Sequence, residues 1–279
     1  MNAKKLLSLW GLKWNPFSPE LPNEALLVTA KIESFAWRVE QLVQEGGFAL
    51  ISGDSGTGKS VALRIVAERL SLLRDVVVGV VERPQSKSGD FYRELGDIFS
   101  VKLSPSNRWS GFKALRERWK AHVASARIKP VLLIDEAQEM NSEVLAELRL
   151  LASADFDAAS LLTVVLCGDG RLPERLRQAD LVPLGTRIRT RLVTEPASRD
   201  ELAELLGHAL AKAGNPTLMT TQLRDALVDH CAGNYRLLMT MGGELLAYGM
   251  AQEVAQLDEK FYLELFHPQR PAAKKKARA

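Results

Sequence analysis

Cysteine, histidine and long apolar runs are what this chain has least of, and each shortage removes a class of protein. Its 279 residues hold two cysteines, Cys167 and Cys231, far apart and without metal-ligand spacing. Neither a disulfide scaffold nor a zinc module is expected, and both thiols read as reduced and buried. Four histidines, His122, His208, His230 and His267, form no cluster, and the adjacent His230 and Cys231 read as packing or surface residues rather than ligands. No apolar stretch approaches the roughly 18 residues that a membrane span needs. Lys4 and Lys5 precede only a short, largely apolar run before Lys13, without a small-residue cleavage site, so no signal peptide is read. No membrane partner and a cytoplasmic location are therefore expected. An N-K-x-D run is also absent, which argues against guanine-specific chemistry.

What is present begins with an ordinary globular composition: 46% hydrophobic and 25% charged, enough for one substantial core and a smaller domain. Within it, Gly53, Asp54, Ser55, Gly56, Thr57, Gly58, Lys59 and Ser60 match G-x-x-x-x-G-K-[ST]. The apolar run 48–52 precedes this string, and a helical pattern through Val61, Leu63, Ile65, Val66 and Leu70 follows it. Strand, loop and helix in that order form a phosphate cradle. Its glycines let successive N–H groups face an anion, and the helix adds the positive end of its dipole. Lys59 is expected to reach the β and γ phosphates of ATP, and Ser60 to hold Mg²⁺.

A second motif supports the first. The apolar run 131–134 ends in Asp135 and Glu136, as a buried central strand does when it delivers acids to the end of a parallel sheet. Asp135 is expected in the Mg²⁺ shell, and Glu136 is placed to orient an attacking water, which points to hydrolysis. Read alone, the pair would also suit the acidic first turn of a helix, since a helical stretch follows at 141–152. Further strands are expected at 76–81, 161–166 and 191–194, with helices near 90–99, 111–126 and 142–151. Alternation of this kind predicts an α/β fold with a doubly wound parallel sheet. From Ser198 the pattern becomes purely helical, opened by the capping-box signature Ser198 to Glu201, with helices through 211 and over 223–231, 236–250 and 257–266. The expected division is an N-terminal arm and first helix at 1–45, a nucleotide-binding core at 46–196, a small helical domain at 197–267 and a basic disordered tail at 268–279.

Positive charge is unevenly spread. The tail holds five of the 37 basic residues, Arg270, Lys274, Lys275, Lys276 and Arg278, leaving 32 against 34 acidic residues in the body. A second concentration joins Lys102, Arg108, Lys113, Arg116, Arg118, Lys120, Arg127 and Lys129 against Glu117 alone, interleaved with Trp109, Phe112 and Trp119. Two readings stand side by side: an electrostatic footprint for nucleic acid, or a solvated helix whose aromatics pack on the sheet. The tail likewise reads as a solubilising end or a basic arm.

A nucleotide core followed by a helical lid resembles the P-loop AAA+ ATPases, and further residues carry the likeness. Asp169, closing the strand after Asp135 and Glu136, stands where that family places its first sensor, although the family usually has a neutral polar residue there. Arg187, in Thr186-Arg187-Ile188, resembles the arginine finger presented to a neighbour's ATP, with Arg189 and Arg191 as rivals. Arg236, in Gly233-Asn234-Tyr235-Arg236, resembles the second sensor. Within AAA+, the opening 9–17, the stretch 168–176 and the stretch 233–238 are similar to the ExeA/TniB/TnsC type, the group that includes transposition helper ATPases. That resemblance spans roughly residues 9–250. It implies that the opening segment, with Asn15 and Phe17, packs near the adenine.

The resemblance implies an ATP-hydrolysing regulator that assembles as a ring or helical filament, a homo-oligomer, on sequence-nonspecific duplex DNA and recruits or activates a DDE-type transposase. Lys102, Arg108, Lys113, Arg116 and Lys120 are the candidate phosphate contacts. The alternative is an ExeA-like switch acting on protein partners in secretion or signalling without DNA. ExeA-like members carry a membrane span and a wall-binding domain that these residues lack, which tips the expectation toward DNA. A two-lobed helicase, which Asp135-Glu136-Ala137-Gln138 also brings to mind, would need a second α/β lobe where the pattern after Thr194 is helical.

Overall fold

The computed structural model describes residues 3–101, 108–122, 128–155 and 158–266. After α1 (Ala3–Trp10), the elements from α2 (Ala30–Glu45) through β7 form an α/β unit, Val28–Glu195. In chain order they are β1 (Gly47–Gly53), α3 (Lys59–Ser71), β2 (Val76–Val81), α4 (Ser88–Ile98), α5 (Arg108–Ala121), β3 (Lys129–Ile134) and α6 (Ser142–Ala152). There follow β4 (Ser153–Ala154), β5 (Ala159–Ser160), β6 (Thr163–Gly168), α7 (Arg171–Arg175), α8 (Val182–Gly185) and β7 (Ile188–Thr194). The chain then turns helical through α9 (Arg199–Ala213), α10 (Thr221–Cys231), α11 (Tyr235–Ala251) and α12 (Glu259–Phe266).

Five strands make one parallel sheet in the order β2-β3-β6-β1-β7, while β4 and β5 pair separately. Strand periodicity sends alternate residues to opposite faces, and both faces are covered. Phe48, Leu50, Leu132, Ile134, Val164 and Leu166 pack with residues of α4, α5 and α6, among them Phe91, Leu95, Trp119 and Leu148. Ala49, Ile51, Val131, Leu133, Val165 and Cys167 pack with Phe35 and Val39 of α2 and Ala62 and Val66 of α3. The edge strand β7 instead alternates, with Ile188, Thr190 and Leu192 buried and Arg189, Arg191 and Val193 exposed. Because all five strands are parallel, their carboxyl ends share one side. Register aligns Ser52 with Gly168, Gly53 with Thr194 and Ile134 with Leu166, which brings the ends of β1, β3, β6 and β7 together.

The N-terminal 45 residues do not stay together. Residues up to Leu27 cluster with those from Pro196 onward, whereas α2 belongs to the α/β unit. Backbone and side-chain bonds cause the split: Trp10 Nε1 donates to Val254 O at 2.8 Å, Asn215 Nδ2 to Trp10 O at 3.0 Å and Lys13 N to Ala213 O at 2.8 Å. Trp10, Leu12 and Phe17 are buried with Leu206, Leu210, Met241 and Leu245 in the helical core. At the start of α9 the capping box forms, Ser198 N donating to Glu201 Oε2 at 2.8 Å and Glu201 N to Ser198 Oγ at 3.2 Å. The tail expected at 268–279 lies outside the described residues, as do Lys102 and the side chain of Arg108. No helix of the described residues is long and apolar enough to cross a membrane.

Candidate nucleotide site

The glycine-rich string leaves β1 and wraps into α3. Gly56 and Gly58 have φ of 85° and 92°, a region where a Cβ is strained, and Gly58 is the N-cap of α3. The loop's N–H groups and the helix N-terminus therefore converge on the sheet's carboxyl edge. Lys59 is buried, and its Nζ donates to Asp54 O at 2.8 Å across the loop. Thr57 Oγ1 donates to Asp54 O at 2.8 Å and lies 2.7 Å from Thr194 Oγ1, which lies 3.3 Å from Ser52 O. Thr194, at the end of β7, thus ties the loop to the neighbouring strand. Ser60 is exposed in the first turn of α3, and Asp135 follows β3 at the same sheet edge. A hydroxyl and a carboxylate are the hard oxygen donors that Mg²⁺ prefers, so the residues present fit that ion.

Glu136 stands in the left-handed region at φ 50° and ψ 38°, uncommon for a residue with a side chain, and heads a short 3-10 turn over Ala137–Glu139. Its N–H donates to Asp135 Oδ1 at 2.9 Å, and its carboxylate accepts a hydrogen bond from Gln138 Nε2. The acids therefore lead into a tight turn rather than straight into α6. Asp169 follows β6 and is clamped by Arg171: the guanidinium Nε lies 2.9 Å from Asp169 Oδ2, and Nη2 lies 2.7 Å from both Asp169 Oδ2 and Glu139 Oε1. Hydrogen bonding from Arg171 holds the Asp169 carboxyl below the usual carboxylate range. The Cys167 thiol is fully buried; burial pushes it up, and the adjacent Asp135 carboxylate adds to the shift.

Of the three candidate finger arginines, Arg187 and Arg189 lie toward the opposite end of the sheet, and Arg191 pairs with Leu50 in mid-strand. Phe48 pairs with Ile188 where Gly53 pairs with Thr194, so Arg187 is separated from its own phosphate loop by roughly 17 Å of strand. Arg187 Nη1 donates to Pro183 O, Arg189 pairs with Glu45 at 2.6 Å, and Arg191 Nη2 donates to Gly185 O at 3.1 Å. Arg236 is exposed in the first turn of α11, whose N-cap Asn234 accepts from Leu237 N at 3.0 Å. Asn15 Oδ1 accepts from Phe17 N at 3.0 Å, and the Phe17 ring is packing in the helical core.

Helix α5 divides its cations by role. Trp119 and Leu115 are fully buried, whereas Trp109 is 72% exposed and stacks on Phe112. The guanidinium of Arg116 donates to the carbonyls of Leu150, Leu151 and Ser153, covering the end of α6, and lies over the Phe112 ring. Lys113, 3.8 Å from Glu117, and Lys120 face solvent. Of the sequence-chosen residues, Lys59, Ser60, Asp135, Glu136 and Asp169 share the sheet's carboxyl edge. Sequence reasoning missed Thr194, Gln138 and Arg171. For Gln138 and Arg171 the only signal was closeness to the motifs; Thr194 had none.

Residues 41–176 match the AAA domain family AAA_22. The chain is 31% identical over 211 residues to General secretion pathway protein A of Aeromonas hydrophila, covering 74% of this chain and 37% of that protein. Among solved structures, Cdc6p from Pyrobaculum aerophilum aligns with a TM-score of 0.68 at 16% identity, over 86% of this chain and 67% of that one. The Drosophila ORC structure bound to DNA aligns with a TM-score of 0.70 at 19% identity, over 94% and 65%. The fold is that of the P-loop AAA+ ATPases, and residues 41–176 match an AAA domain within it. Within that class the chain is similar to General secretion pathway protein A and, in fold, to Cdc6 and ORC.

Proposed function

We propose that this chain is an ATP-hydrolysing AAA+ switch in which Glu136 orients the attacking water, Lys59 and the loop amides hold the phosphates, and a neighbouring copy supplies an arginine. The carrying observation is the single sheet edge that gathers the phosphate loop, Asp135 and Glu136. Mg²⁺ held by Ser60 and Asp135 would neutralise phosphate charge. Arg187 sits at the far end of β7, beyond reach of its own loop, which favours a role in trans. Asp169 belongs to this proposal as a nucleotide-facing residue, whereas the Phe17 ring, expected near the adenine, is taken up by packing in the helical core. The test pairs two variants: Glu136→Gln binds ATP but loses most hydrolysis, whereas Lys59→Ala loses binding. Undiminished turnover in Glu136→Gln rejects the role of Glu136.

The finer reading is assembly on duplex DNA in the service of a transposase, as in TniB/TnsC-type helpers. It is favoured by the solvent-facing cations of α5 beside exposed Trp109. The rival, a switch acting on protein partners, is favoured by the 31% identity to a protein named for general secretion. Anisotropy on duplexes of several lengths, with ATP, with ADP and without nucleotide, separates them. ATP-dependent affinity that grows with duplex length supports the first, and no duplex binding at low salt supports the second.

A further inference from the structure

The buried side chain of Gln138 has work beyond packing. It is 6% exposed, and both ends of its carboxamide are engaged. Nε2 donates to the Glu136 carboxylate, and Oε1 accepts from Asp169 N at 3.1 Å. Chemistry fixes this orientation, because the flipped amide would set oxygen against carboxylate and N–H against N–H. Room for it depends on Gly168, where a Cβ would stand 2.5 Å from Gln138 Oε1. The backbone beneath is also pinned: Arg175 Nη1 donates to Gln138 O, and Arg175 Nη2 donates to Ser142 Oγ at 3.2 Å. One amide thus joins the catalytic glutamate to the end of β6, where Asp169 follows.

We propose that Gln138 is a positioning residue that aims Glu136 and couples it to the segment 168–171, so that displacement of that segment is transmitted to the base. This rests on the assignment of Glu136 as the water-orienting base. Glu136 is exposed and stands in the left-handed region, and the amide of Gln138 restrains its carboxylate. Losing it leaves the phosphate loop untouched and affects only the aim of the base.

The test is a cycle of ATPase measurements on the full chain with Mg²⁺ and ATP, using Gln138→Met, Glu136→Gln and the double variant. Gln138→Met keeps the volume and removes both hydrogen bonds. Expected is a fall in kcat of about 10- to 100-fold, with the dissociation constant of a fluorescent ATP analogue unchanged. The double variant should hydrolyse no more slowly than Glu136→Gln alone, because Gln138 acts only through Glu136. Gly168→Ala, which displaces the amide without deleting it, should reproduce the kcat loss and serves if Gln138→Met does not fold. Wild-type kcat in Gln138→Met beside an inactive Glu136→Gln overturns the coupling alone, as does a multiplicative loss in the double variant. Wild-type turnover in Glu136→Gln overturns the coupling and the base assignment together.

Discussion

Replacing Thr194 with valine removes the side-chain contact that ties Thr57 of the phosphate loop to β7 while keeping a β-branched shape suited to the strand. Two interactions go: the 2.7 Å contact with Thr57 Oγ1 and the 3.3 Å contact with Ser52 O. Thr57 keeps its own bond to Asp54 O, so no fully buried hydroxyl is orphaned. At about 0.5–1.5 kcal/mol net per hydrogen bond, the second being long, the expected loss is about 1–2 kcal/mol. In a unit of this size that is a fall in Tm of roughly 3–6 °C. A loop freed from its strand must be ordered when nucleotide binds, and about 1 kcal/mol of that cost raises the Kd for ATP roughly fivefold. Thermal melting and titration of a fluorescent ATP analogue read the two effects. Thr57→Val and the double variant complete the cycle, and the double loss should fall short of additive because the two residues share one contact. A Thr194→Val protein with wild-type Tm and wild-type Kd would refute the tether.

Arg187→Ala should leave ATP binding intact but depress turnover, and mixing it with Lys59→Ala subunits should restore activity at hybrid interfaces; normal turnover by Arg187→Ala at every concentration would pass the role to Arg189 or Arg191. Lys113→Ala with Lys120→Ala should weaken duplex binding across unrelated sequences and reduce the log-salt slope by about 0.9 per lost phosphate contact. Arg116→Ala should instead lower stability by about 2 kcal/mol through the lost carbonyl bonds, read by urea melting. Asp169 has a folded pKa depressed by Arg171, so its stabilisation is complete above the unfolded carboxylate value of about 3.9 and fades as pH falls below it. Asp169→Asn should therefore flatten the acid side of the stability profile below about pH 4, and an unchanged profile would remove the pair from the acid response.

The amino-acid sequence by itself determined the elements that rest on local rules. The phosphate loop was legible because its glycines, Lys59 and Ser60 are required at fixed spacing between an apolar strand and an amphipathic helix. The strand at 131–134 was legible because a central parallel strand, covered on both faces, is a continuous apolar run, and the edge strand at 76–81 because its β-branched residues favour extended backbone. Edge strand β7 begins at Ile188, three residues before the expected start, because Arg189 points to solvent and disguises the alternation. Only tertiary structure decided the rest. The order β2-β3-β6-β1-β7 brings residues 52, 135, 169 and 194 to one edge, and no sequence spacing encodes that adjacency. It also drew the first 27 residues to the helices that follow Pro196, turned Arg116 from a free cation into a cover for α6, and set Gln138 between Glu136 and Asp169. Periodicity reports which face of an element is apolar. Which strand neighbours which, and which polar group finds which partner, follow from burying all those faces at once.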